Sequence, residues 1–287
     1  MLDWRPNPSR ARAESMALSR ALAMGLGFDS TSEGVFHPAV FAANSVPYSR
    51  RPPIDLLMKL VSESRRRATS YGTAGSFQFD LEPLPELLRQ GTVERAHVAA
   101  EESTGERQEF AVCEVIDDSI REGIAAAFRL VRSYWPEIER EIRVTTTCLN
   151  IFVGSRVLGF ADFKTHGLIF LRRDELDDPA VCAEGIIHEA SHVRFNGLLA
   201  STPCLEADDG QLYTTPLRED PRPAFGLLHQ LFVVARLGAW NRRIDSAEAR
   251  CKAEWAAVKL DDARATVLGL PLTAAGRQIV TSLYCRK

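Results

Sequence analysis

The most constraining feature of this sequence is a pair of histidines, His188 and His192, with Glu189 directly after the first. On an α-helix, residues four apart lie one above the other on the same face, so both imidazoles can reach a single metal ion. The apolar neighbours Ile187 and Val193 favour a buried amphipathic helix, where two close imidazoles without a metal or other partners would be costly. Histidines that only complete core hydrogen bonds are the alternative. We therefore predict a metal site, with two ligands from one helix and the rest from elsewhere.

Size and composition set the frame for that site. The chain has 287 residues, of which 45% are apolar and 25% charged, enough to bury a sizeable core in one large or two modest domains. A net charge of -3 gives no reason to expect a nucleic acid as partner, and the triplet Arg65-Arg66-Arg67 is typical of a solvated helix end.

Membranes and secretion are not expected either. No apolar run approaches the length needed to span a bilayer, and the arginine-rich start of the chain lacks the apolar core of a secretion signal. The six cysteines are widely scattered, without a close pair of the zinc-ribbon or redox type, which favours reduced thiols. We expect a cytoplasmic protein.

The front of the chain is predicted to be mostly helical. Apolar residues recur at helical spacing in four segments, which are 11–25, 54–69, 86–90 and 92–100. The polar run 101–109 then interrupts the helical pattern, and we place the domain boundary there. This divides the chain into a helical N-terminal section, 1–105, and a catalytic domain, 106–287. The N-terminal section is expected either to recognise a leader peptide or to complete the core.

Strands precede the histidine helix, and more helices follow it. Runs of β-branched and aromatic residues predict strands at 110–116, 143–153, 157–163 and 167–171, with a helix at 119–134 stopped by Pro136. Asp178 is a plausible N-cap and Pro179 a preferred first residue for a helix over 180–196, whose registry should carry His188 and His192 inward.

Behind this helix we expect a polar loop, 201–221, and then helices at 223–240, 246–262 and 273–284. The order of helices, strands and helices predicts an α+β fold. In it a zincin-like metal-binding helix packs on a small mixed or antiparallel sheet, with helical sections at both ends.

Three residues compete for the place of third metal ligand. In zinc peptidases that share the motif, a downstream Glu, Asp or His completes the site, and the motif glutamate deprotonates a water in the open position. Glu206 and Glu219 would serve that way, but both lie in the polar loop, where a solvated carboxylate is more common. We favour His229, because it lies on a predicted apolar helix and a histidine in the core is best explained by a metal that it binds.

The segment before and around His229 has a distinctive set of residues. They are Tyr213, Pro216, Arg218, Asp220, Pro221, Arg222, Pro223, Gly226, Leu227, Leu228 and His229. With these residues, the chain from Ile187 to Trp240 resembles the HExxH-motif family of peptide-modifying enzymes associated with ribosomally made peptides, understood as 2-oxoglutarate-dependent peptide β-hydroxylases. Leu217 and Gln230 depart from the family, which usually has Trp and Gly there. The start of the last helix, 272–277, also matches, so the resemblance covers roughly residues 150–285.

The resemblance implies an Fe(II) oxygenase. His188, His192 and His229 would be three neutral facial ligands, which leaves positions for a bidentate 2-oxoglutarate and for O2. An arginine is expected to hold the distal carboxylate of 2-oxoglutarate with two parallel hydrogen bonds. Arg222 is our first choice and Arg218 the second; a salt bridge from Arg222 to Asp220 is the alternative. Tyr213 is expected to line the same pocket.

Two classes of function follow from these residues. The first is an Fe(II)/2-oxoglutarate oxygenase that β-hydroxylates a residue of a ribosomally made peptide, with a strand such as 167–171 aligning the substrate by edge pairing. Glu189 would then orient a ligand or the substrate. The second is a zinc metallopeptidase in which Glu189 is the general base and His229, Glu219 or Glu206 is the third ligand. The oligomeric state stays open.

Overall fold

The computed structural model describes residues 3–26, 35–36, 38–44, 111–113, 115–154, 157–206 and 210–284, with isolated positions between 55 and 101. The helices expected over 54–69, 86–90 and 92–100 therefore lie almost entirely outside the described residues, although Asp55, Met58, Lys59, Ser62 and His97 are helical. The domain boundary expected near residue 105 also lies outside them and stays a prediction.

The chain forms two compact units. Asn7–Gly197 make one, which we call the sheet unit, and Met1–Pro6 together with Leu198–Lys287 make the other, which we call the helical unit. The long histidine helix belongs to the sheet unit up to Gly197.

The sheet unit combines a four-stranded sheet with helices. Its strands are β1 (Ala111–Val112), β2 (Cys148–Val153), β3 (Gly159–Ala161) and β4 (Leu168–Arg172). Its helices are α1 (Pro8–Gly25), α2 (Pro38–Asn44), α3 (Asp118–Tyr134), α4 (Pro136–Thr145) and the greater part of α5 (Pro179–Ser201). The strand order is β1-β2-β4-β3, with β2 and β4 parallel and the outer pairs antiparallel. The sheet is small and mixed, and the α+β class is confirmed.

Pro136 begins a helix as well as ending one. It is the first residue of α4, where a missing N–H costs nothing. Ile138 and Ile142, four residues apart, are fully buried on one face of this helix. The strand expected from residue 143 is therefore wrong in its first part: residues 143–145 close α4, and β2 starts only at Cys148. Helical burial outweighs the strand propensity of the β-branched residues there.

The position of β4 in the sheet corrects a second expectation. β4 pairs with β2 on one side and with β3 on the other, so its backbone groups are already used. The segment 167–171 is therefore not available to align a substrate by edge pairing. Within the described part of the chain, β3 is the strand at that end of the sheet.

The histidine helix α5 starts as expected and runs further. Asp178 Oδ1 accepts a hydrogen bond from the backbone N–H of Ala180 at 2.7 Å, and Pro179 is the first helical residue. The helix continues past the expected end at 196 to Ser201. It lies close against the sheet, because a Cβ added to Gly185 would be 3.3 Å from Leu171 Cδ2.

The helical unit contains a hairpin and three helices. They are β5 (Leu212–Thr215), β6 (Arg218–Pro223), α6 (Ala224–Asn241), α7 (Ala247–Leu268) and α8 (Ala274–Tyr284). The expected starts of the helices near 223, 246 and 273 are confirmed. The loop expected over 201–221 is wrong, since an antiparallel hairpin occupies its second half. β6 contains prolines, which have no backbone N–H to donate to a neighbouring strand. A two-stranded ribbon tolerates them because each strand has an unpaired edge.

The first residues of the chain belong to the helical unit. Trp4 Nε1 donates to the Ser282 carbonyl at 3.0 Å, and Arg236 Nε donates to the Trp4 carbonyl at 3.0 Å. None of the described helices has the length and apolarity needed to cross a bilayer.

Candidate metal centre

His188 and His192 lie on one face of α5, one turn apart. Their ring centroids are 5.2 Å apart and their planes are inclined at 50°. A metal bonded to one nitrogen of each ring at about 2.1 Å would lie about 3.2 Å from both centroids, which gives an angle of roughly 110° at the metal. The distance between the rings is therefore compatible with both imidazoles binding one metal ion.

Both histidines are half-buried rather than enclosed. The side chain of His188 is 37% exposed, and His192 is also intermediate. The expectation that the registry carries them inward holds only in part, because α5 is buried mainly through its other faces. Partial exposure leaves a ligand or substrate a route to the imidazoles.

Glu189 is buried next to the pair. Its side chain is only 6% exposed, and Oε1 lies 3.9 Å from His188 Nε2. Oε2 has no hydrogen-bond partner among the described residues. Burial raises the pKa of this carboxyl to about 8, because an ionised carboxylate is poorly solvated there. Without a bound cation, Glu189 is thus mainly protonated at neutral pH.

The place of Glu189 depends on a glycine in β3. A Cβ added to Gly159 would lie 2.9 Å from Glu189 Oε1 and 2.8 Å from the carbonyl oxygen of Phe170. The strand at the end of the sheet therefore passes directly against the motif glutamate. Sequence reasoning did not single out Gly159; its only signal was a glycine within a predicted strand, which often marks a close approach.

His229 lies in the helical unit, on α6. It is buried, and the Phe225 ring lies 4.5 Å from its own ring. Burial lowers the pKa of His229 to about 3, so the imidazole is neutral at physiological pH. Neutral imidazole is the form that binds a metal. The prediction of a histidine on an apolar helix is confirmed.

The residues expected to hold 2-oxoglutarate lie on the hairpin before α6. Tyr213 and Arg222 are direct cross-strand partners in β5 and β6. Arg222 Nε lies 2.6 Å from Asp220 Oδ2, so the alternative of a salt bridge to Asp220 is observed. This ion pair does not exclude anion binding, since a guanidinium presents several donors in a fork. The side chain of Arg218 lies outside the described residues.

The acidic alternatives for the third ligand receive less support. Glu206 is exposed, and its backbone N–H donates to the Pro271 carbonyl at 2.8 Å. The side chain of Glu219 lies outside the described residues. Among all described residues, no group of three or more His, Cys, Asp or Glu side chains has the geometry of a metal site. His229 as the third ligand stays a prediction.

Another histidine of the sheet unit stands out only in the structure. His166 precedes β4 and is completely buried. Neither ring nitrogen has a hydrogen-bond partner among the described residues. Burial, and secondarily the charge of Arg194, lower the pKa of His166 to about 4. The turn sequence contains no signal for this burial, which results from packing against α5 and α2.

No family model matches the chain. No curated protein matches it significantly either.

Proposed function

We propose that this protein is an Fe(II)/2-oxoglutarate-dependent oxygenase that β-hydroxylates a residue of a ribosomally made peptide. The observation that carries the proposal is the spacing of His188 and His192, whose rings stand 5.2 Å apart on one helix face and fit a single metal. The resemblance of residues 213–229 to the HExxH-motif peptide-modifying family favours an oxygenase over a peptidase.

The proposed ligand set is His188, His192 and His229. All three are neutral ligands, so an anionic cosubstrate is needed to balance the charge of a divalent metal. Bound Fe(II) with 2-oxoglutarate and O2 would supply the oxidising chemistry. The low pKa of His229 supports its part, because no proton has to be displaced at neutral pH.

Arg222 is proposed to bind the distal carboxylate of 2-oxoglutarate. Its guanidinium is 23% exposed and pairs with Asp220 through Nε. The two terminal nitrogens of a guanidinium can bind a carboxylate through parallel hydrogen bonds, which is the contact proposed here. Tyr213, opposite Arg222 on the hairpin, is proposed to border the same pocket.

The peptide is proposed to approach along β3. Within the described residues, β3 pairs with β4 and stands last in the strand order of the sheet, which is the position where an extended chain would be added. Because Gly159 abuts Glu189, a peptide paired with this edge would pass close to the motif glutamate. Glu189 is then proposed to orient the substrate or a ligand by hydrogen bonding.

An anaerobic titration tests the proposal without a peptide. Metal-free protein is mixed with Fe(II) and 2-oxoglutarate in the absence of O2, and the visible charge-transfer band of a bidentate keto-acid complex is measured. The band should vanish in His229→Ala and weaken in Arg222→Ala. Arg250→Ala is the matched control, since Arg250 forms an exposed ion pair with Asp245 and should leave the band unchanged. Absence of the band in the wild-type protein refutes the oxygenase.

A zinc metallopeptidase is the second candidate. It is favoured by the closeness of Glu189 Oε1 to His188 Nε2, 3.9 Å, which would bring the carboxyl near a metal-bound water. Glu189→Gln separates the two functions. A peptidase should lose peptide cleavage, whereas an oxygenase should still form the keto-acid complex.

A further inference from the structure

The back of the histidine helix carries a buried charge. Arg194 follows His192 by two residues and therefore points about 200° away from it around the helix. Its side chain is only 3% exposed. A guanidinium in such a place is costly unless its charge is compensated by groups from the elements packed against it.

Two carboxylates from other helices compensate it. Arg194 Nη1 makes a close contact with Glu14 Oε2 on α1. Arg194 Nε lies 3.4 Å from Glu141 Oε2 on α4. Both glutamates are buried, so their charges are not screened by water.

Each carboxylate is held by a further donor. Arg10 Nε donates to Glu14 Oε1 at 2.6 Å, and the backbone N–H of Asn7 donates to Glu141 Oε2 at 2.7 Å. The result is a network that joins the start of α1, the middle of α4 and the second half of α5. All of its members belong to the sheet unit.

The same part of α5 packs closely against its neighbours. One turn beyond Arg194, a Cβ added to Gly197 would make ordinary van der Waals contact with His166 Cε1, at 3.5 Å, and with Ser15 Oγ on α1, at 3.8 Å. Rotation or sliding of α5 would separate the buried charge of Arg194 from those of Glu14 and Glu141. Because Arg194 and His192 lie on one helix, whatever fixes the guanidinium also fixes the backbone that carries the imidazoles.

We propose that Glu14 is a positioning residue for the metal centre: α1 holds α5 through Arg194 and thereby sets the orientation of His188 and His192. This inference rests on the proposed metal site. By this inference, α1, at residues 8–25, supports the metal centre without contacting the metal.

Binding of Co(II) to the metal-free protein tests the proposal without turnover. Its dissociation constant measures affinity, and its visible d–d absorption reports ligand geometry. Glu14→Gln removes the charge but keeps the shape, and should raise the dissociation constant by up to about tenfold and change the absorption, because Glu14 acts through Arg194 rather than on a ligand directly. A role in stability alone would leave both unchanged in the folded variant.

Glu139→Gln is the matched control. Glu139 is also a buried glutamate, but its partners Arg132 and Arg143 lie on α3 and α4. Its loss should lower stability without altering Co(II) affinity or absorption. If Glu14→Gln does not fold, Arg10→Gln removes one donor to Glu14 and should change Co(II) binding in the same direction by a smaller factor.

The outcomes separate this inference from the proposed function. Failure of the wild-type protein to bind Co(II) would overturn both. Tight Co(II) binding that Glu14→Gln leaves unchanged, or that Glu139→Gln weakens equally, would overturn the positioning role and leave the oxygenase intact.

Discussion

Replacing His166 by phenylalanine should make the protein markedly more resistant to acid. The wild-type ring is completely buried, and its pKa in the folded protein is about 4 against an ordinary value of 6.5. As the pH falls, the unfolded chain takes up a proton near pH 6.5, whereas the folded protein does so only near pH 4. His166 therefore lowers the free energy of unfolding throughout that interval.

The magnitude follows from the difference between the two pKa values. Between about pH 7.5 and about pH 4.5, His166 should remove roughly 2 to 3 kcal/mol of stability. The charged groups nearest to it on the packed elements are Arg194 on α5 and, through it, Glu14 on α1 and Glu141 on α4. Arg194 disfavours the imidazolium and acts in the same direction as burial.

The assay is chemical unfolding of the wild-type protein and His166→Phe at a series of pH values. The substitution also changes packing against Phe41 and Gly197, which shifts the free energy of unfolding by an amount nearly independent of pH. Titration of His166, in contrast, makes the difference in unfolding free energy between the two proteins grow as the pH falls. Other titrating groups, Glu189 included, contribute to both proteins and cancel in the difference.

A flat difference would refute this reasoning. If the stability gap between the two proteins changes by less than about 0.5 kcal/mol over that range, His166 is not held neutral by burial. An NMR titration gives an independent check, because the His166 ring signal should not shift until the pH approaches 4.

Gly159→Ala should destabilise the protein by about 1 to 3 kcal/mol in thermal unfolding, because the added Cβ would meet Glu189 and the β4 backbone. Gly25→Ala is the control: among the described residues, no atom of a neighbouring segment lies within 4 Å of its added Cβ, so it should be neutral or slightly stabilising. Asp178→Ala should cost about 1 kcal/mol in urea unfolding through loss of the helix cap, and an unchanged midpoint would contradict that role. Arg222→Lys should raise the dissociation constant for 2-oxoglutarate about tenfold in the anaerobic titration, because the bidentate fork is lost; equal affinity would remove Arg222 from the site.

Local signals predicted the histidine helix well. Asp178 and Pro179 mark its start in the sequence, and the cap and first turn form as expected. The helices α6 and α7 also begin near the predicted positions 223 and 246. Caps and helical periodicity act within a few residues, so they can be read directly from the chain.

Signals that compete locally were misread. The segment 143–145 has β-branched residues and was expected to be a strand, but burial of Ile138 and Ile142 extends α4 through it. The hairpin β5–β6 lies largely in a segment that was expected to be a loop because it is polar. In both places a contact with another element outweighs the preference of the segment itself.

The sequence by itself determined the spacing of His188 and His192 and the helix that carries them, because these depend on residues within a few turns of one helix. Only the tertiary structure decided which strand ends the sheet beside Glu189, that His166 is buried without a hydrogen-bond partner in the described chain, and that Glu14 compensates Arg194. These features join residues far apart in the chain, and their burial and charge pairing arise only when distant segments pack together.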